Sequence, residues 1–60
     1  MTLEDLRNYQ GQQLSDEEFK EIEDCNLVKD IVDNGNSPMY PQLNWYVLEL
    51  ETGELINIFI

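Results

Sequence analysis

The chain has no histidine, a single cysteine, and only three basic residues among sixty. Each scarcity removes a class of function. Without histidine the commonest general base and the commonest metal-ligating side chain are both missing. One cysteine, Cys25, cannot close an internal disulfide, so the chain is no small secreted scaffold of the disulfide-stapled kind. Cys25 also lacks an imidazole or a basic neighbour to hold it as a reactive thiolate. It reads as a small, partly buried apolar residue. No apolar run approaches the ~20 residues of a membrane-spanning helix, and no basic-plus-apolar leader opens the sequence. The expectation is a soluble, cytoplasmic protein without a membrane partner.

What is present is acid. Thirteen Asp and Glu stand against Arg7, Lys20 and Lys29, giving a net charge of −10. Such a chain repels nucleic acid and anionic lipid and attracts basic surfaces. At 42% hydrophobic with 10% aromatic residues, it is too apolar for a disordered acidic tail. Residues 1–60 therefore form one folded domain. A chain of this size buries only about 60% of the surface its unfolded form exposes, so its stability is marginal.

Thr2-Leu3-Glu4-Asp5 approximates a capping box, and Gly11 is a natural stop. These bracket a helix over about residues 3–10, with Gln12-Gln13 as connector. Ser15-Asp16-Glu17-Glu18 is a complete S-x-x-E capping box, with Leu14 and Phe19 placed as a hydrophobic staple. At ~100° per residue, Phe19 and Ile22 share one face and Glu17, Lys20, Glu21 and Asp24 the other. From residue 27 the apolar positions fall where the acids were. The helix is expected to end near Cys25-Asn26, with Asn26 taking the left-handed stop, and residues 27–33 to form a strand. A helix continuing to Asp33 is the alternative. Residues 34–38, Asn-Gly-Asn-Ser-Pro, are turn chemistry throughout.

The last third is two β-rich runs, 45–51 and 54–60, around Thr52-Gly53. A two-residue loop would mix polar and apolar residues on both faces. A three-residue loop, Glu51-Thr52-Gly53 with Gly53 as the bulge residue, gathers Tyr46, Leu48, Leu50, Ile56, Ile58 and Ile60 on one face. Trp45, Val47, Glu49, Leu55, Asn57 and Phe59 take the other, with Trp45 opposite Phe59. The expected fold is α+β: two short N-terminal helices packed on a small antiparallel sheet of two or three strands that ends in a C-terminal hairpin. So short a chain leaves the second sheet face for something outside it to cover.

Catalysis by paired carboxylates needs a substrate cleft that sixty residues do not readily build. Residues 30–41 begin like a calcium loop, but Val32 and Pro41 stand at positions where oxygen ligands are needed. No enzyme activity, metal or cofactor is expected. The acids have a plain reading as a solvated helix face. Their chain-wide excess points instead to a surface for a basic partner, with Asp16, Glu17, Glu18, Glu21 and Asp24 as one row and Glu49, Glu51 and Glu54 of the hairpin as a second. Tyr40 and Trp45 are the candidate apolar anchors.

In these traits of size, acidity and missing catalytic groups, the whole chain resembles the small acidic inhibitors that phages and mobile elements direct against host enzymes. Anti-CRISPR, anti-restriction and uracil-DNA glycosylase inhibitor proteins are examples. The resemblance carries no motif by position. It implies a DNA mimic: a stoichiometric inhibitor occupying the basic groove of a host nucleic-acid enzyme. The other expectation is a small self-associating structural or assembly protein, a homodimer through the Trp45/Phe59 face, whose charge serves solubility.

Overall fold

A three-residue turn organises the molecule. In the computed structural model, which describes residues 1–60, strands β3 (Asn44–Leu50) and β4 (Leu55–Phe59) pair antiparallel with Trp45 opposite Phe59, Tyr46 opposite Ile58 and Leu48 opposite Ile56. The Leu50 amide donates to the Glu54 carbonyl and the Gly53 amide to the Leu50 carbonyl, and Gly53 has φ +90°. This is the register that collects the apolar residues on one face. Leu48, Leu50, Ile56 and Ile58 are buried, and Tyr46 and Ile60 pack against them.

Both helices cover that inner face. Helix α1 (Leu3–Asn8) starts in a capping box, Thr2 with Asp5, and sends Leu6 into the core. Helix α2 (Asp16–Glu23) starts in the second box, Ser15 with Glu18. Its apolar face contributes buried Ile22 and half-buried Phe19, whose ring meets Tyr46 at 4.9 Å. Leu14, just before the cap, is also buried. The core is thus Leu6, Leu14, Ile22, Leu48, Leu50, Ile56 and Ile58.

The sheet is larger than expected and mixed rather than purely antiparallel. It has four strands in the order β1-β4-β3-β2. The Gln12–Gln13 connector is strand β1, parallel to β4. Gly11, at φ +76°, turns the chain onto β4, and its amide donates to the Asn57 carbonyl at 2.7 Å. Leu14 repeats this with the Phe59 carbonyl at 2.8 Å, and the Gln10 side chain accepts from the Asn57 amide. Backbone pairing alone makes this strand, so no apolar period announces it.

Strand β2 (Val28–Asn36) bears out the expected strand against the alternative long helix, and runs on past Asp33 to Asn36. It pairs with β3 and places Val28 opposite Leu50 and Ile31 opposite Leu48, with shifts in register between Val28 and Asp30 and between Asp33 and Asn36. The second shift lets the pairing run through Asn34-Gly35, which reads as turn in isolation. Helix α1 ends at Asn8, sooner than residue 10. Helix α2 closes on Asp24 in right-handed geometry, and no residue other than glycine has positive φ, so the left-handed stop at Asn26 is not used. A turn from Cys25 to Val28, closed at 3.1 Å, makes the reversal instead.

Gly53→Ala tests the turn. An added Cβ would meet nothing within 4 Å, so the cost is purely that of forcing an L-residue to positive φ, about 1–2 kcal/mol. Urea unfolding should show a lower midpoint with an unchanged slope.

Candidate protein interaction surfaces

The local chemistry of each carboxylate decides which acids are free to meet a partner. Five are engaged within the chain. Asp30 and Asp33 each accept from a backbone amide one or two residues on, that of Ile31 at 2.9 Å and that of Gly35 at 2.8 Å. The three others make caps or an ion pair. Glu18 Oε1 accepts from both the Ser15 amide and hydroxyl at 3.1 Å. Asp5 accepts from the Thr2 amide at 2.9 Å, a bond that holds its carboxyl below the usual carboxylate range. Glu54 takes a two-pronged grip from Arg7, at 2.7 and 2.9 Å, and a further bond from the Thr52 hydroxyl. The Arg7 hydrogen bonds hold the Glu54 carboxyl down and the Arg7 guanidinium up. This is the one ion pair in the protein.

Asp16, Glu17, Glu21, Glu23 and Asp24 are different. All five are exposed, and none of their carboxylates accepts a hydrogen bond or pairs with a cation. Their ordinary reading is a solvated helix face. Glu17, Glu21 and Asp24 follow at helical spacing, Glu17 and Glu21 about 6 Å apart along the axis. Lys20 sits among them without closing an ion pair, so the stripe keeps a negative excess. The field reaches inward: burial first, then the charges of Glu18, Glu21 and Asp5, pushes the Tyr9 hydroxyl up.

The second row expected from the hairpin is not assembled. Glu54 is held by Arg7. Glu49 points to the outer face, away from the helices, opposite Asp30 on one side and Leu55 on the other. Glu51 follows the end of β3, and its amide donates to the carbonyl of Leu27, in the turn between α2 and β2, at 2.8 Å. The expected anchors also lie on the outer face. Trp45 is half-buried, with Nε1 donating to Asn57 Oδ1 at 2.9 Å, and Tyr40 packs edge-on to Phe59 at 5.4 Å. The α2 acids and the anchors therefore lie on opposite sides of one sheet, while Glu49 and Asp30 share the anchors' side.

Sequence reasoning missed Asp30 as the partner of Glu49, because the shift after Val28 moves the register. It also left out Glu23, which sits in the same acidic run, and Met39, which is exposed beside Trp45 and Phe59. Residues 30–36, which begin like a calcium loop, lie in strand β2. No three His, Cys, Asp or Glu side chains converge as a metal-ion cluster, and no helix is long and apolar enough to cross a membrane. No protein-family model, no curated protein and no solved structure matches the chain.

The Arg7–Glu54 pair makes a pH prediction. Glu54 has a depressed folded pKa, so its contribution is present above the ordinary carboxylate range and is lost as pH falls through the folded value. Glu54→Gln should lower stability at pH 7, and the deficit should shrink below about pH 4. Denaturant midpoints for both proteins across that interval check it. The pair is largely exposed, so the deficit should be small.

Proposed function

We propose that the protein is a non-enzymatic, protein-binding inhibitor that lays the acidic stripe of α2 into the basic groove of a nucleic-acid-handling enzyme. Inhibitors of the phage-encoded anti-CRISPR and anti-restriction type work at such grooves. The observation that carries this reading is the division among the acids. Glu18, Asp5 and Glu54 are spent on caps and an ion pair. The five exposed acids of α2 have no internal task. A mixed surface would serve solubility as well.

The imitation of nucleic acid is partial. Each DNA strand carries a phosphate every ~3.4 Å, whereas successive acids of the stripe stand ~5–6 Å apart. The stripe matches a short piece of one strand and has no second row beside it. Charge of this kind speeds encounter and sets orientation more than it holds a complex together. The alternative reading, a self-associating assembly protein, is supported by exposed Val32 and Leu55 on the outer sheet face. An apolar dimer would be insensitive to salt.

Capture from the native host, followed by competition with DNA on the captured enzyme, tests the proposal. Added protein should displace DNA. Glu21→Lys should weaken displacement more than Glu4→Lys, since the two reversals change net charge equally and neither carboxylate is engaged in a cap or ion pair. Asp5 is unsuitable as a control because it closes the α1 capping box. Equal loss from both reversals would reduce the effect to bulk charge, and simultaneous binding of DNA and protein would overturn the reading.

A further inference from the structure

The outer sheet face is ordered in three rows across the strands. The first is Trp45 and Phe59, followed by Val32, Val47 and Asn57, then Asp30, Glu49 and Leu55. The loop after β2 covers only the first row, and only in part. Ser37 is buried, and its hydroxyl accepts from the Met39 and Tyr40 amides, which fixes the loop's shape. Tyr40 then rests on Phe59. Between loop and sheet a cleft of ≈ 200 Å³ remains, lined by Ser37, Pro38, Met39, Trp45 and Phe59. An apolar cavity of ~150 Å³ admits a benzene ring, so this cleft has room for one aliphatic or aromatic side chain.

The third row carries the charge. Asp30 and Glu49 stand directly opposite one another, an arrangement that costs stability when both are negative. Glu49 is half-buried and has neither a hydrogen bond nor an ion pair; Asp30 bonds only to the next amide, that of Ile31. Alternate rows of a strand are ~6.6 Å apart, so these carboxylates lie about 13 Å from the aromatic row. Exposed Val32 and Leu55 fill the space between and beside them.

We propose that this face docks a basic segment of a partner protein, which places one apolar side chain in the Met39/Trp45/Phe59 cleft and an arginine or lysine between Asp30 and Glu49. A second copy of this chain is a poor occupant. It would bring another net charge of −10 and bury the two carboxylates. Of its three bases, Arg7 is paired with Glu54, while Lys20 and Lys29 are unpaired but lie among acids, Lys20 in the α2 stripe and Lys29 in a groove with Glu23 and Asp30. A cationic side chain removes the like-charge cost that the free protein carries. The proposal is independent of the α2 reading, because that stripe lies beyond the opposite side of the sheet.

Selection of a random twelve-residue peptide library on the purified protein is the test. Enriched peptides should share an apolar residue and an arginine or lysine, four positions apart where the peptide binds extended. Binding should disappear in Glu49→Lys and persist in Glu21→Lys. Glu49→Gln should raise the Tm of the free protein yet weaken the peptides about tenfold, the loss expected of one charge-assisted hydrogen bond. Those opposite signs would not come from a structural role alone. Circular dichroism confirms that each variant is folded, and Asp30→Lys replaces Glu49→Lys if it is not. Overturning results are no enrichment, enriched peptides without a base, amide shifts confined to α2 or to the free edge of β2, or a wild-type dimer in sedimentation that Val47→Asp disperses.

Discussion

The turn at Gly53 is the constraint on which the other features depend. A one-residue change in hairpin register would exchange the two faces of β4. Leu55, Asn57 and Phe59 would then face the helices, and Ile56 and Ile58 the solvent. With the observed register, the inner face offers Leu48, Leu50, Ile56 and Ile58 as one apolar floor. Leu6, Leu14 and Ile22 close it from above. Seven buried apolar residues are a small core, so local devices matter more here than in a larger domain. Two capping boxes fix the helix starts, the Asn44–Ile60 backbone pair closes the open end of the hairpin, and the Arg7–Glu54 grip ties α1 to its closed end.

The features that were legible in the sequence are those fixed by neighbours a few residues apart. The Ser15/Glu18 box and the hairpin register follow from short-range spacing, and the structure contains them. Leu14 and Phe19, spaced as a staple, both pack on the same core. The features that were not legible depend on distant pairings. Gln12 and Gln13 have no strand character, and only the exposed edge of β4 makes them one. Asn34-Gly35 reads as turn, yet β3 continues to pair alongside it. Glu54 is one more hairpin acid until Arg7, 47 positions away, takes hold of it. Glu18 shows a different limit: its capping role was visible, and that role already withdraws it from a partner-binding surface.

The same long-range effects reshape the functional picture. From sequence, the acids form one surface with aromatic anchors beside them. In the fold they separate into a carboxylate stripe on the helix layer and a graded face, aromatic to acidic, on the far side of the sheet. In the account proposed here, the stripe supplies attraction toward a basic groove, and the graded face supplies contact for a segment that is both apolar and basic. Each surface can be altered without touching the other, because the core lies between them.

The central claim is that the α2 acids engage a basic surface by direct charge pairing. The most direct measurement is the salt dependence of affinity for the captured partner, wild type against Glu21→Lys. The account predicts that log affinity falls steeply and linearly with log salt for the wild type, and less steeply for the variant. Affinity that barely changes between low and physiological salt, or slopes that coincide for the two proteins, would contradict it.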